Sequence, residues 1–158
     1  KMLNLGSLGW VSDKSGYRYQ ATHPVTGKAW PPIFPSLLNI WNTLTHNYAE
    51  PEACLINYYS ATAKMGLHQD RDEEDFNAPV VSLSLGDTAL FRIGTNERNG
   101  PTQSIKLQSG DGLIFGGPAR LDFHGIDRIY KDTSALLSQG GRFNLTMRRE
   151  TKPVIASK

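Results

Sequence analysis

Short alternating segments separated by turn residues constrain the fold of this chain more than any other feature of its sequence. Val80–Leu85 alternates with a period of two, ends at Gly86-Asp87, and is followed at once by the apolar run Ala89–Ile93, which predicts a hairpin. Further short runs occur at Ala53–Tyr59, Ser104–Gln108, Gly112–Phe115, Leu121–Ile126 and Arg142–Arg148. Strands about 8 to 12 residues apart, with turn residues between them, are typical of β-sandwiches and barrels.

One segment has helical periodicity instead. After the prolines that end at Pro35, apolar side chains recur every three or four residues, at Leu37, Leu38, Trp41, Leu44 and Tyr48. Pro51 should stop this helix, and Trp41 on its apolar face is expected in the core rather than in a binding site. We therefore predict a mainly β (α+β) fold, a double-sheet jelly roll with one helix packed outside.

Composition narrows the class of protein only slightly. A chain of 158 residues with 39% hydrophobic residues suits one globular domain, and a net charge of +2 neither requires nor excludes a nucleic-acid partner. The single cysteine, Cys54, has no partner for a disulfide or a zinc site, and we expect it to be a small buried residue rather than a nucleophile. With no membrane-spanning run and no secretory signal, the sequence predicts a cytoplasmic protein without a membrane partner.

The triplet His68-Gln69-Asp70 is the main candidate for chemistry. Residues i and i+2 of a strand project to the same face, so the imidazole and the carboxylate should converge. His124, expected near the end of the predicted strand Leu121–Ile126, is the candidate third ligand. Two histidines and one carboxylate form the facial triad that leaves coordination positions open on iron(II). On its own, however, the triplet favours the simpler interpretation of a solvated pair on a surface strand.

The last alternating segment adds a second candidate site. Polar residues at every other position share one strand face, namely Arg142, Asn144, Thr146 and Arg148. Burial of two arginine side chains costs free energy unless anions pair with them. A dicarboxylate cosubstrate would pair with them through bidentate contacts. The alternative is an exposed strand with its polar face in solvent.

With these residues assembled, the chain resembles the AlkB family of dioxygenases from about Leu8 to Arg149. The resemblance rests on ordered blocks, which are Leu8-Gly9-Trp10, Gly16-Tyr17-Arg18-Tyr19, Asn57-Tyr58-Tyr59, Leu67–Asp72, Val81–Gly86, His124-Gly125-Ile126 and Arg142–Arg148. It implies a double-stranded β-helix, a form of jelly roll, with a substrate-binding lid. It further implies one dioxygenase domain over residues 1–158, part of a nucleotide-recognition lid in 1–30, and the catalytic core in 52–149. The family's lid also draws on a portion that would precede Leu3.

The resemblance assigns roles residue by residue. The implied iron(II) ligands, and thus the catalytic residues, are His68, Asp70 and His124. The implied 2-oxoglutarate contacts are Asn57, Tyr58, Tyr59, Arg142, Asn144 and Arg148. Within that set, Arg142 and the Tyr59 hydroxyl would hold the distal carboxylate, while Asn144 and Arg148 would hold the metal-chelating end. Strand packing is the alternative for Asn57 and Tyr59.

The same resemblance implies a base-binding surface. Its members would be Trp10, Tyr17, Arg18, Tyr19, Asp72 and Arg98. Aromatic faces stack on an unpaired or flipped base, and a carboxylate such as Asp72 can bind the exocyclic amine of a cationic methylated base. For Arg98 the alternative is a solvated loop charge. Phe115 stands where similar chains carry tryptophan, so packing near the cosubstrate is expected to differ.

The function that follows is oxidative demethylation of N-alkylated bases such as 1-methyladenine and 3-methylcytosine. The substrate would be single-stranded or locally flipped DNA, or RNA, acted on by a monomer. The reaction would require iron(II), 2-oxoglutarate and dioxygen, and would release succinate and formaldehyde. Two alternatives stay open: a hydroxylase of a protein or small molecule that uses the same metal site, and a catalytically silent nucleic-acid-binding relative.

Overall fold

A computed structural model describes residues 1–153 of the chain. Within that range the chain forms eleven strands and one α-helix, with a short 3₁₀ turn at Gly117–Ala119. The elements in chain order are β1 (Met2–Gly6), β2 (Gly9–Asp13), β3 (Gly16–Gln20), α1 (Pro35–Leu44), β4 (Ala53–Tyr59), β5 (Met65–His68), β6 (Val80–Gly86), β7 (Thr88–Ile93), β8 (Gln103–Leu107), β9 (Gly112–Phe115), β10 (His124–Tyr130) and β11 (Arg142–Arg148).

The strands form two main sheets and a separate hairpin. The major sheet has the order β1-β4-β11-β6-β9, the minor sheet the order β5-β10-β7-β8, and β2 pairs only with β3. Every pairing is antiparallel. Non-consecutive neighbours such as β11 between β4 and β6 are what a jelly roll requires, so the predicted fold class is confirmed.

Alternation along β4 and β11 divides the major sheet into two faces. Cys54, Leu145 and Met147 project to one face, where they pack with Leu37 and Trp41 of α1. Trp41 and Cys54 are both 0% exposed, which confirms that each is a core residue. The polar residues that alternate with Leu145 and Met147 along β11 therefore project to the opposite face of the sheet, toward the minor sheet.

A second apolar cluster lies between the two sheets. Val80 and Phe115 from the major sheet pack with Phe91 and Ile126 from the minor sheet. Near-complete burial of these side chains joins the sheets, since each large apolar side chain removed from water contributes about 1.5 to 3 kcal/mol. The cluster occupies only part of the space between the sheets, and the remainder forms the cavity that holds the candidate site.

Two predicted boundaries were wrong. The helix ends at Leu44 rather than near Pro51, because His46 and Asn47 adopt left-handed φ angles of 53° and 61° that a helix cannot continue through. The predicted strand Leu121–Ile126 begins only at His124 and extends to Tyr130. Residues 120–123 lie between the 3₁₀ turn and β10, so His124 opens a strand instead of lying near the end of one.

The N-terminal strands were not predicted. β1 adds to the edge of the major sheet beside β4, and β2 and β3 form the hairpin that carries Trp10 and Tyr17. Leu3 and Leu5 of β1 and Tyr17 and Tyr19 of β3 do alternate with polar residues, but two alternating side chains in a five-residue run are a weak strand signal. Among residues 1–153, no helix has both the length and the apolar character needed to cross a membrane.

Candidate metal centre and substrate cavity

The three candidate metal ligands come from two neighbouring strands of the minor sheet. His68 is the last residue of β5, His124 is the first residue of β10, and the two are register partners. Asp70 follows two residues after His68, beyond the end of the strand. At Gly125 an added Cβ would lie 2.6 Å from the Met65 carbonyl oxygen, so glycine permits the close approach of β10 to β5 beside the site.

The side chains of this trio converge on one point. Their candidate ligand atoms all lie within 4.8 Å of one another. Asp70 bridges the histidines, with Oδ1 3.8 Å from His68 Nε2 and Oδ2 3.7 Å from His124 Nε2. Each Nδ1 is 3.0 Å from a main-chain carbonyl oxygen, that of Gly66 for His68 and that of Asp122 for His124. A carbonyl oxygen only accepts, so each Nδ1–H donates and each Nε2 keeps its lone pair for a metal.

Burial and charge favour the ligand forms of two members of the trio, His124 and Asp70. Desolvation lowers the pKa of His124, which favours the neutral imidazole. Burial alone would raise the pKa of Asp70, but nearby positive charge, that of Arg148 above all, outweighs it and holds this pKa below its ordinary value. A neutral imidazole and an ionised carboxylate are what a divalent cation binds.

The trio lies in the wall of a cavity of about 560 Å³ between the sheets. Facing it across the cavity are the alternating polar residues of β11, which confirms that this strand face points inward. Its members Arg142, Asn144, Thr146 and Arg148 all line the cavity. The interpretation of β11 as a solvent-exposed polar face was therefore wrong.

Arg142 is the least satisfied of these groups. It is 1% exposed, and its Nη2 donates to the Ser84 hydroxyl at 2.9 Å. Its Nε and Nη1 are buried without a hydrogen-bond partner in the part of the chain that the structure describes. Burial lowers the pKa of this guanidinium. Since a buried donor without an acceptor is costly, the arrangement fits an anionic ligand of the cavity, such as the distal carboxylate of 2-oxoglutarate.

The strand register places two further predicted cosubstrate residues beside β11. Tyr59 lies opposite Arg142 and Asn57 opposite Asn144, and both line the cavity. Asn144 is already engaged within the protein, where its Nδ2 donates to Ser82 Oγ at 2.7 Å and to the Leu83 carbonyl at 3.1 Å.

The prediction of Tyr58 as a cosubstrate contact was wrong. Side chains alternate along β4, so Tyr58 projects away from the cavity while its neighbours Asn57 and Tyr59 project into it. Its ring packs on Phe143, with centroids 5.2 Å apart, and its hydroxyl donates to the Gly140 carbonyl at 3.2 Å. Tyr58 is therefore a packing residue on the far face of the major sheet.

Sequence reasoning missed a buried charged network behind the metal centre. Arg148 binds two carboxylates, that of Asp70 at 2.8 Å and that of Glu73 at 3.3 Å. Arg120 binds Glu73 at 3.0 Å. Glu73 and Arg120 are each 4% exposed. Glu73 stands in the acidic run 72–75, and nothing in the sequence of that run shows that Glu73 and Asp75 are buried while the other two carboxylates are exposed.

The lid hairpin contributes an aromatic surface at the cavity. The rings of Trp10 and Tyr17 stack with centroids 5.4 Å apart and an interplanar angle of 13°, and both line the cavity. Trp10 Nε1 donates to Asp72 Oδ2 at 2.8 Å, so the hairpin is joined to the segment that carries the candidate ligand Asp70. Arg98 also lines the cavity, with its guanidinium 5.9 Å from the centroid of the Phe123 ring.

Two predicted base contacts lie elsewhere. Arg18 points to the other face of the hairpin, where it forms an ion pair of 2.9 Å with Asp13. Tyr19 lies outside the cavity lining, and its hydroxyl donates to Glu73. Burial raises the pKa of Tyr19, so its proton stays on the phenol. The structure therefore corrects both assignments: Arg18 balances a local charge and Tyr19 belongs to the buried network.

Comparison with known proteins agrees with this geometry. Residues 1–148 match the 2OG-Fe(II) oxygenase superfamily. An alpha-ketoglutarate-dependent dioxygenase AlkB homolog of Caulobacter vibrioides is 55% identical over 148 residues, which are 94% of this chain and 67% of that protein. The DNA N(6)-methyladenine demethylase ALKBH1C of Arabidopsis thaliana is 44% identical over 109 residues, or 63% of this chain and 24% of that protein. The solved structure of OsALKBH1 superposes with a TM-score of 0.73 at 36% identity, and covers 94% of this chain and 77% of that one.

Proposed function

Because this chain belongs to the 2OG-Fe(II) oxygenase superfamily, and within it to the AlkB dioxygenases, we propose that it oxidatively demethylates N-alkylated bases in nucleic acid. The observation that carries the proposal is the pairing of two features in one cavity. His68, Asp70 and His124 present three ligand atoms within 4.8 Å, and Arg142 offers a buried guanidinium with two unpartnered donors. The first feature suits a divalent metal and the second a carboxylate.

The metal and the cosubstrate would be held by different strands. The trio of His68, Asp70 and His124 would bind iron(II) through its Nε2 and carboxylate atoms. Arg142 would bind the distal carboxylate of 2-oxoglutarate, with Tyr59 and Asn57 beside it in register. Arg148 lies 2.8 Å from Asp70, and Asn144 lines the same cavity on β11, so the chelating end of the cosubstrate would lie on their side of it.

The protein and its bound groups divide the work. When bound, iron(II), 2-oxoglutarate and dioxygen supply the oxidising power that hydroxylates the methyl carbon, while 2-oxoglutarate becomes succinate and carbon dioxide. The hydroxymethylated base then loses formaldehyde and regains its unmodified form. The residues of the chain orient the substrates, and the apolar walls formed by Phe91 and Phe115 exclude water from the cavity.

Recognition of the base would fall to the lid. The stacked pair of Trp10 and Tyr17 provides a flat aromatic surface, and aromatic stacking on a base is worth about 1 to 3 kcal/mol. Asp72, held by Trp10, would offer a carboxylate to a methylated base that carries a positive charge. Arg98 at the same cavity would be available for the substrate backbone.

The partner and setting follow from these features. A methylated base must leave the helical stack to reach a cavity lined in this way, so single-stranded or locally flipped DNA is the proposed substrate and RNA is the second candidate. We further propose a monomer, because one chain supplies all three candidate ligands. Cys54 is a free buried thiol, which is consistent with the proposed cytoplasmic location.

Release of formaldehyde tests the proposal directly. The protein is incubated with iron(II), 2-oxoglutarate and ascorbate, and with single-stranded DNA that carries 1-methyladenine or 3-methylcytosine. We expect formaldehyde and succinate in equal amounts from the methylated strand, and no formaldehyde from the same strand without methyl groups. Methylated RNA of the same sequence is assayed in parallel to compare the two nucleic acids.

The other outcomes distinguish the alternatives. Succinate without formaldehyde would identify an active oxygenase with a different substrate, such as a protein or a small molecule. Binding of the methylated strand with neither product would instead support a silent nucleic-acid-binding relative.

A further inference from the structure

Glu73 is a buried carboxylate with no part in the proposed chemistry. It is 4% exposed, while its neighbours Asp72 and Glu74 are exposed. Its Oε2 accepts a hydrogen bond from Arg120 Nη2 at 3.0 Å, and its Oε1 accepts from Arg148 Nη1 at 3.3 Å. A buried carboxylate bound to two guanidiniums is costly to assemble, so its position calls for a specific reason.

Both arginines that bind Glu73 also bind the candidate metal ligand Asp70. Arg148 Nη2 lies 2.8 Å from Asp70 Oδ1, and Arg120 Nη1 donates to the main-chain carbonyl of Asp70 at 2.6 Å. Asp70 is therefore held at its side chain and at its backbone by two cations. Glu73 orients both of them, and it supplies the second negative charge that balances the pair.

The lid hairpin is attached to the same carboxylate. The Tyr19 hydroxyl donates to Glu73 Oε1 and lies 3.4 Å from Arg148 Nη1. Tyr19 belongs to β3 and is the register partner of Trp10. Glu73 thus links the lid hairpin, which bears the aromatic surface, to Asp70, whose carboxylate lies between the two histidines.

We infer that Glu73 is a positioning residue that sets the affinity of the metal centre by orienting Arg148 and Arg120 around Asp70. The inference rests on the metal site of the proposed function. Without the charge of Glu73, two guanidiniums would face one carboxylate. Arg148 would then compete more strongly with the metal for the oxygen atoms of Asp70, and the excess positive charge would repel a divalent cation.

Metal binding to the metal-free chain of 158 residues tests this inference without turnover. Co(II) is titrated into wild-type, Glu73→Gln and Glu73→Asp proteins, its binding is followed by visible absorption, and each melting temperature is measured. Glu73→Gln keeps the size of the side chain and removes its charge. We expect it to weaken Co(II) binding by about 10- to 100-fold, the usual range for partners of metal ligands, and Glu73→Asp to restore part of the loss.

Glu74→Gln is the matched control, because it makes the same charge change one residue away on an exposed side chain. We expect this variant to bind Co(II) as the wild type does. Equal Co(II) affinities in Glu73→Gln and Glu74→Gln would overturn the inference and leave the metal site intact. Absence of Co(II) binding by the folded wild type would overturn the metal site and the inference with it.

A second variant keeps the inference testable if Glu73→Gln fails to fold. Tyr19→Phe removes only the hydroxyl that donates to Glu73, and we expect weaker Co(II) binding than in the wild type, by less than for Glu73→Gln. Tyr58→Phe is its control, because that hydroxyl donates to Gly140 on the far face of the sheet. Equal Co(II) affinities in these two tyrosine variants would also overturn the inference.

Discussion

Arg148 Nη2 lies 2.8 Å from Asp70 Oδ1, so β11 of the major sheet is bound directly to the carboxylate between His68 and His124 on the minor sheet. The contact joins the two halves of the sandwich at the candidate metal centre. It also means that the anion expected to match Arg148 is supplied by the protein itself, whereas Arg142 on the same strand has no such partner among the described residues.

Removal of any one of the three candidate ligands should abolish turnover. His68→Ala, Asp70→Ala and His124→Ala each leave two ligands, which hold a divalent metal poorly. Succinate formation and Co(II) binding are measured for each variant. His46→Ala is the control, because this exposed histidine lies in the turn after α1 and should have no effect. Turnover that persists in any of the three variants would contradict the ligand assignment.

Replacement of Arg142 should separate stability from function. Arg142→Met keeps the length of the side chain but removes a buried charge with two unpartnered donors. We expect the free energy of unfolding to be unchanged or higher by up to about 2 kcal/mol. Loss of two charge-assisted hydrogen bonds should weaken 2-oxoglutarate binding by about 100-fold. Urea denaturation and the KM for 2-oxoglutarate measure the two effects, and an unchanged KM would exclude Arg142 from the cosubstrate site.

Truncation of the lid should affect the nucleic acid alone. Trp10→Ala removes the larger ring of the stacked pair and the donor to Asp72. The loss of one stacking surface is worth about 1 to 3 kcal/mol, so the KM for a methylated oligonucleotide should rise by roughly 5- to 150-fold. The KM for 2-oxoglutarate and the affinity for Co(II) should stay within about twofold of the wild type. An equal loss of all three quantities would instead indicate that Trp10 supports the fold.

The buried thiol predicts how stability depends on pH. Burial raises the pKa of Cys54 from its ordinary value of 9.0 to about 12. Between these values the unfolded chain loses the thiol proton while the folded chain keeps it, so the free energy of unfolding falls as pH rises through this window, by up to about 1.4 kcal/mol per pH unit. Below pH 9 the contribution is fully present.

Urea denaturation at pH 8 and pH 10.5 checks this prediction against Cys54→Ala, which lacks the titrating group. The loss of stability between the two pH values should be larger in the wild type than in the variant. Equal losses would mean that the thiol ionises as easily in the folded chain as in the unfolded one.

The sequence predicted most of the architecture where side-chain alternation was strong. β4, β6, β7, β9 and β11 carry apolar or alternating residues, and their faces lie as that pattern requires. His68, Asp70 and His124 were candidates by residue type, but only the family resemblance assigned them as metal ligands, because the triplet alone favoured a solvated pair on a surface strand. The inward face of β11 was identified because two arginines on one strand face require anions.

The rest depended on contacts between distant segments. Glu73 and Arg120 meet across 47 positions of sequence, and neither lies in a periodic segment. The role of Tyr19 was assigned incorrectly because its partners come from Glu73 and from β11. The end of α1 depends on two residues that adopt left-handed φ angles, a preference that their sequence context does not reveal.

The main-chain hydrogen bonds of His68 and His124 have a consequence for the way in which the site takes up a metal. Each imidazole is held by the carbonyl of the residue two positions before it, so the tautomer of each ring is selected within a three-residue segment. That selection needs neither the partner histidine nor a metal. In the folded chain both rings therefore offer the same nitrogen, Nε2, with its lone pair free, and neither ring has to change tautomer when a metal binds.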